Sequence, residues 1–484
     1  MLEDLIRDRK EKLSRYEEEL DSAYPARVRK GIAVSEFYSQ FNAWKKNSRK
    51  KAILHGRLFS LRDQGKIVFG ALKDETGSVQ VVFTKDKTAD FKVLKSSLDA
   101  GDIVEVEGGA FVTKRKEKSL LVRKGRIISK SVRPLPLTWY KLEDEELKLR
   151  KRYLDLLLDP DLREMFRKKS LFWNEFRAAL TEAGYLEVET PVLESVPGGA
   201  ETEPFVTHHN ALDRDFYLRI SLELPLKKLL VGGFARVFEI GRIFRNEGID
   251  REHLQDYTQM ECYAAYEDYT TLMKFIQKTY QRVIKKVFGT LTLEIQGKRI
   301  SWGGSWDRVD YFKAFKKEAG LDLAVCSRED LEKKAQELGL EPEPYAGKGR
   351  LIDLVYKKTV RPKLVKPCFL VDPPVEVEPL AKRHPSDPRR VERFQVVALG
   401  TELGKGFSEL NDPQDQRERF EEQMALREEG DPEAQMLDED FLEALEYGMP
   451  PAAGFGVSER LFAVLMDRPI RETTMFPLMR EKKV

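Results

Sequence analysis

At 484 residues, with 41% hydrophobic and 10% aromatic side chains, the chain is long enough for two or three domains and too apolar to be disordered. Its 84 Lys+Arg against 82 Asp+Glu leave a formal charge of +2, so net charge does not mark a nucleic-acid binder; any such surface must come from local asymmetry. Three cysteines (Cys262, Cys326, Cys368) without a short pairing exclude a disulfide scaffold and a cysteine-based zinc site. The opening MLEDLIRDRK lacks an apolar leader and no apolar run could span a bilayer, so a soluble, cytoplasmic protein is expected.

Residues 1–22 read as an amphipathic helix with Leu2, Ile6, Leu13, Tyr16 and Leu20 on one stripe, and residues 35–44 as a second short helix. Together they make a helical arm over 1–50. The grammar then changes. Between 52 and 131, short alternating stretches are broken by Asp63-Gln64-Gly65 and Glu75-Thr76-Gly77 turns, which predicts a five-stranded, all-β barrel of the oligonucleotide-binding type over 51–135. RPLP at 133–136 punctuates its end. A linker over 136–160 carries an acidic helix around residues 143–155, and Asp159-Pro160 introduces a helix over 161–183. The remainder, 161–484, reads as an α+β domain with long antiparallel strands, interrupted over 306–365 by a mostly helical insertion. The basic runs at 45–51 and 114–126 read, each by itself, as solvated faces.

Residues 234–266 carry the most chemistry. Two strand-like halves flank a polar loop, 246–255, containing Gly248. Side chains alternate along a strand, so Tyr257, Gln259, Glu261 and Tyr263 share one face, Thr258, Met260 and Cys262 the other, and Glu239 shares a face with Arg245. Ionisable groups within apolar strands are costly unless paired or facing a ligand. A solvated face with cross-strand ion pairs explains one such strand. It explains less well a second, in which Lys405, Phe407 and Glu409 alternate, and Glu223 at an apolar strand-to-helix transition. The carboxylates Glu223, Glu261 and Glu409 outnumber Arg245, which suits a cationic substrate that also bears a carboxylate; lysine is such a molecule. His208 and His209, adjacent on a strand, point to opposite faces and cannot easily share a metal. His55 and His384 carry no case on spacing, and Cys262 reads as a buried strand residue.

FRNEG at 244–248, followed by His253 and TQMECY at 258–263, resembles motif 2 of the class II aminoacyl-tRNA synthetases. THHNAL at 207–212, GFSELNDP at 406–413, RKRYLDLL at 150–157 and PLAKRH at 379–384 resemble the lysine-specific branch, and residues 56–74 its anticodon-binding barrel. The resemblance implies an antiparallel-sheet catalytic domain, activation of lysine with ATP, transfer to tRNA(Lys), Mg²⁺ as helper ion and a homodimer built around Pro191 of motif 1. It implies that Arg245 holds the lysine carboxylate and the ATP α-phosphate, and that Glu247 and His253 hold adenine and phosphates. Tyr257 would stack on adenine and Arg460, the motif 3 arginine, would lie against adenine and the γ-phosphate. Glu223 and the Gly199 backbone would receive the α-ammonium; Glu261, Tyr263 and Glu409 the ε-ammonium; Phe407 would line the alkyl chain. Glu402 and Gln395 match the Mg²⁺-binding positions. Arg62, Phe69, Gln80 and Glu117 match the positions that read a U-rich anticodon.

The sequence departs from the family pattern in four places. Motif 3, GFGVSER, carries Ser458 for a glycine and is one residue shorter. Gln395 replaces a common Glu, Glu203 a common Arg, and Lys405 a common Asn; this last is a cation that can pair with Glu402 or a phosphate or repel a lysine substrate. A class II paralogue with a different acceptor and a catalytically silent tRNA-binding module are the alternatives. The retained barrel residues oppose the first; the short motif 3 and Gln395 favour the second, and intact Arg245, Glu247, Glu261, Glu402 and Arg460 oppose it.

Overall fold

The computed structural model describes residues 2–47, 49–136, 144–248 and 253–480, in two units, Met1–Leu142 and Glu143–Val484.

In the first unit, α1 (Leu2–Glu19) buries Tyr16 and half-buries Leu13 and Leu20, but Leu2 is exposed. Arg9 joins the buried stripe instead, its Nη1 donating to the Ser131 carbonyl at 2.7 Å, so its stem packs while its head stays paired. The helix expected over 35–44 is two, α2 (Val34–Ser39) and α3 (Phe41–Lys46), broken at Gln40. Strands β1 (Ala52–Asp63), β2 (Ile67–Lys73), β3 (Ser78–Thr84), β4 (Ile103–Val112) and β5 (Lys118–Ser129) close a barrel in the order β1-β2-β3-β5-β4. Period-two alternation does this: along β2, Val68, Gly70 and Leu72 point inward while Ile67, Phe69, Ala71 and Lys73 point out. Gly65 takes φ 75 in the β1–β2 turn, and Asp74 Oδ1 accepts from Thr76 N and Gly77 N in the next. A helix that the alternating pattern did not suggest, α4 (Phe91–Ser97), inserts between β3 and β4. On the barrel wall Glu105, 1% exposed, takes hydrogen bonds from Arg29 and Arg126 and lies 3.3 Å from His55.

The second unit opens with α5 (Glu145–Arg150) and α6 (Arg152–Leu158); Glu143, where the linker helix was expected to begin, lies outside the described residues. In α7 (Pro160–Glu182), Pro160 occupies the first turn, where a missing N–H costs nothing, and Asp159 caps the N–H groups of Asp161 and Leu162. Short strands β6 (Leu186–Glu187), β7 (Leu193–Glu194), β8 (Val206–His209) and β9 (Arg214–Leu218) lead to α8 (Glu223–Val231). The hairpin β10 (Arg236–Phe244) and β11 (Asp256–Ala265) precedes α9 (Tyr269–Phe288) and a small hairpin, β12 (Thr292–Ile295) with β13 (Lys298–Ser301). Residues 306–365 begin with a strand, β14 (Asp307–Asp310), before α10 (Tyr311–Ala319), α11 (Arg328–Glu337) and α12 (Lys348–Thr359). Strand β15 (Cys368–Val371), a hairpin of β16 (Arg383–His384) and β17 (Asp387–Val391), then β18 (Arg393–Ala398) and β19 (Thr401–Ser408) follow. The chain continues through α13 (Pro413–Glu428), α14 (Glu439–Glu446), β20 (Ala452–Ser458) and α15 (Arg460–Leu465).

Eight strands form one sheet, β14-β15-β18-β19-β20-β11-β10-β6, antiparallel except at its two edges. Its faces differ as strand alternation requires. Met260, Cys262 and Ala264 of β11 pack into a core with Phe172 and Phe176 of α7 and Ile276 and Tyr280 of α9. Cys262 is fully buried and burial pushes its thiol up, so it is a core residue. Glu261 and Tyr263 emerge on the opposite face, where the cavity lies.

Candidate active site

Cross-strand register builds the cavity floor. Gly456 of β20 lies between Glu261 of β11 and Lys405 of β19, with Gln395 of β18 beyond; Gly454 lies between Tyr263 and Phe407, with Arg393 beyond. Gly456 leaves open floor between two side-chain walls, whereas the space above Gly454 is already filled. A Cβ at Gly454 would fall 2.2 Å from the Tyr263 ring and 2.3 Å from Glu409 Oε1, so no larger residue fits there. The resulting cavity of about 510 Å³ is lined by Gly199, Glu223, Arg245, Glu247, His253 and Tyr257, and by Glu261, Tyr263, Gln395, Glu402, Phe407 and Arg460. Every candidate ATP-, lysine- and metal-binding residue of this unit except Glu409 thus lines one space.

The carboxylates are held differently. Glu261 Oε1 accepts from Ser221 Oγ (2.8 Å), Leu222 N (3.0 Å) and Gln259 Nε2 (2.6 Å), and Oε2 from Tyr263 OH (2.8 Å). Four donors fix its direction. Glu223 and Glu409 share a residue the sequence did not flag. Lys227, one helical turn after Glu223 and fully buried, places Nζ 2.6 Å from Glu223 Oε1 and 2.5 Å from Glu409 Oε2. The same ammonium lies 5.4 Å from the Phe407 ring centroid. Burial opposes a charged Lys227, but the two carboxylates outweigh it and raise its pKa. Both carboxylates are raised as well, by burial first, since one ammonium cannot satisfy two. Glu409 therefore lies beneath the cavity wall, 1% exposed, with Oε1 lacking a hydrogen-bond donor among the described residues. Glu239 lies across from Glu261 in the β10–β11 register but is outside the cavity lining; it forms a buried pair with Arg219 (2.6 Å) and accepts from Thr190 N (2.9 Å).

Gly199, at φ 85, brings its backbone against Glu223: a Cβ there would lie 2.9 Å from the Glu223 Cβ. Arg245 continues from β10, its guanidinium 5.6 Å from the Tyr257 ring centroid. Its buried Nε, like that of Arg460, has no hydrogen-bond partner among the described residues. An unpaired buried guanidinium donor is costly, and an anionic ligand removes that cost. Thr202 Oγ1 donates to Glu247 at 2.6 Å, and the Glu203 carbonyl accepts from Asn246 N while its side chain is exposed, so the Glu203 departure leaves the cavity untouched. The short motif 3 is absorbed where β20 meets α15. Glu459 N donates to the Thr258 carbonyl, the Glu459 side chain pairs with Lys169 of α7, and Arg460 still reaches the cavity.

Gln395 Nε2 donates to Glu402 Oε2 at 2.5 Å, and Lys405 pairs with Glu378 rather than Glu402. Among the described residues no group of three or more His, Cys, Asp or Glu could hold a metal. Glu402 and the Gln395 amide oxygen are hard oxygen donors of the kind Mg²⁺ takes, and one carboxylate with one amide would leave most of such an ion's ligands to come from elsewhere. His208 pairs with Asp215 at 2.9 Å, His209 lies against Phe216, His384 bonds Ser386, and none of them lines the cavity.

The barrel residues gather on its outer surface. Arg62 lies directly across from the outward-facing, half-buried Phe69; Gln80, opposite Ala71, accepts from Ser119 Oγ at 2.9 Å; Glu117 is exposed in the β4–β5 turn.

The family described as tRNA synthetases class II (D, K and N) matches residues 144–480, and the OB-fold nucleic acid binding domain matches residues 52–128. The lysine–tRNA ligase of Moorella thermoacetica is 45% identical over 438 residues, 90% of each chain. Those of Pelotomaculum thermopropionicum and Halalkalibacterium halodurans are 41% and 40% identical, covering 100% and 99% of this chain and 96% and 98% of theirs. Motif 2 on a hairpin, a glycine-floored cavity on an antiparallel sheet, and these matches along both units establish that the chain belongs to the class II (D, K and N) tRNA synthetases.

Proposed function

We propose that this chain is a lysine–tRNA ligase: it joins lysine to AMP with release of pyrophosphate, then transfers the lysyl group to the 3′ end of tRNA(Lys). The charge of the pocket carries this reading. Three carboxyl groups, Glu223, Glu261 and Glu409, stand against two built-in cations, Lys227 and Arg245. Burial raises the pKa of Glu223 and Glu409, and an entering ammonium favours their ionised forms, which leaves one net negative charge to complement lysine's single positive charge. Aspartate and asparagine, the other substrates of the family description, do not complement that charge.

Lysine's carboxylate is ionised at neutral pH, so no general base is required for activation. Its oxygen attacks the ATP α-phosphorus, and the bond to the pyrophosphate oxygen breaks. Arg245 grips the carboxylate and the α-phosphate, stabilising charge that grows during attack. Tyr257 and Arg460 hold adenine, and Glu247 and His253 the loop side of the nucleotide. Glu223 and the Gly199 backbone receive the α-ammonium, and Glu261 and Tyr263 the ε-ammonium. Glu409 adds charge from beneath the wall through its Oε1, which has no donor among the described residues, and Phe407 lines the alkyl chain. Mg²⁺ bound at Glu402 and Gln395 would neutralise phosphate charge. In the second step the terminal ribose hydroxyl attacks the lysyl carbonyl and AMP leaves. Arg62, Phe69, Gln80 and Glu117 are proposed to read the anticodon, the aromatic by stacking and the polar groups at base edges. A homodimer is proposed too, supported by exposed Leu186, Val192, Leu193 and Val206 around Pro191. No helix among the described residues is long and apolar enough to cross a membrane.

Pyrophosphate exchange into ATP, measured with each amino acid in turn, tests the reading. Exchange with lysine is expected; exchange with aspartate or asparagine alone would overturn the specificity.

A further inference from the structure

On the β18–β19 wall two cations, Lys405 and Arg393, share one carboxylate oxygen of Glu378. Lys405 Nζ lies 2.9 Å from Glu378 Oε2, and Arg393 Nε lies 3.3 Å from the same oxygen. Burial pushes the Glu378 carboxyl up, yet the two cations outweigh it and hold it below the usual carboxylate range. Arg393, which also donates to the Val377 carbonyl, is buried and fixed. Lys405 is the more exposed partner: its side chain is 36% exposed, lines the cavity, and carries its ammonium on a four-carbon stem with several rotatable bonds. If it swung away, Arg393 would still neutralise Glu378, so no buried charge would be stranded. Burial works against the Lys405 charge, but Glu378 more than restores it, so the ammonium persists at neutral pH.

Its neighbour across the strand pair is Gln395, whose amide already donates to Glu402. The wall therefore offers one carboxylate, part of whose acceptor capacity is used, with a neutral amide and an ammonium beside it. Sites that hold divalent ions on protein oxygens gather carboxylates. A triphosphate entering past Glu201, Glu378 and Glu402 nevertheless needs positive charge there.

We propose that Lys405 is a phosphate-binding residue: on nucleotide binding its ammonium turns from Glu378 to a phosphate oxygen and supplies part of the neutralisation that divalent cations otherwise provide. The inference rests on the cavity taking ATP, as proposed above. Its consequence is a nucleotide affinity that depends less on divalent cations than it would without this side chain.

Calorimetric titration of the full chain with ATP and with adenosine, each in EDTA and in Mg²⁺, tests it. Wild type is expected to retain ATP binding in EDTA. Lys405→Asn should lose about tenfold or more of that affinity, the scale of one charge-assisted hydrogen bond, and lose less in Mg²⁺. Its adenosine affinity should not change, and Lys405→Arg should keep most of the ATP affinity in EDTA. Equal ATP affinity in EDTA for wild type and Lys405→Asn would overturn the proposal, as would a matching loss for adenosine, which lacks phosphates. A wild-type chain binding neither ATP nor adenosine in either buffer would overturn the nucleotide-site reading itself.

Discussion

Lys227 holds its charge out of water's reach, between Glu223 and Glu409 and beside the Phe407 ring. Breaking such a cluster leaves an uncompensated buried charge, so Lys227→Met should destabilise the fold by about 3–5 kcal/mol, read from urea denaturation. Equal stability would mean that the carboxylates protonate at little cost. Glu409→Gln keeps the shape but removes one charge from the pocket, and should weaken lysine use by about 2–5 kcal/mol in kcat/KM while leaving adenosine binding unchanged. Sequence made the cavity residues legible because alternation on β11 and β19 sets which side chains share a face. It did not reveal Lys227, which sits in an ordinary Glu-to-Lys helical spacing that usually marks a solvated pair. The apolar neighbours Leu224, Leu226 and Leu230 were the available signal that this turn is buried. The Lys405–Glu378–Arg393 cluster was equally hidden, because its members come from separate segments brought together by the sheet and the turn at Val375–Val377.

At the scale of elements, the barrel offers two separable tests. Phe69 projects from the outer face of β2 while its neighbours Val68 and Gly70 face inward. Phe69→Ala should weaken tRNA binding by about 1–3 kcal/mol, as loss of one base-stacking platform does, and leave pyrophosphate exchange unchanged. A fall in exchange would assign Phe69 a structural role. Glu105 tests acid stability. Burial pushes its carboxyl up, but hydrogen bonds from Arg126 and Arg29 outweigh burial and take it down to about 2. A depressed acid stabilises the fold at pH values above its unfolded pKa of about 4.3, and that contribution disappears as pH falls towards 2. Glu105→Gln should therefore speed hydrogen exchange in β4 and β5 at pH 7, with the gap to wild type closing below pH 4. Strands were readable because their turns carry Gly and Asp where the backbone needs them. The α2–α3 break and α4 were not, since each helix is seven residues or fewer and too short to establish a period.

For the molecule as a whole, the exposed apolar side chains near Pro191 bear on assembly. Sedimentation velocity should show dimers at micromolar concentration, and Leu193→Arg should shift them towards monomers by placing a charge in the contact. A wild-type monomer at that concentration would remove the dimer reading. The glycine at 454 limits how this protein could be changed. With a tyrosine ring and a carboxylate occupying the space that a side chain would need, the bottom of the cavity cannot be raised by substitution there, and glycine is already the smallest residue. Engineering the site for a bulkier amino acid would therefore have to thin the sides, at Tyr263 or Phe407; trimming the first would cost Glu261 a donor, and trimming the second would strip the ring from beside the internal ammonium.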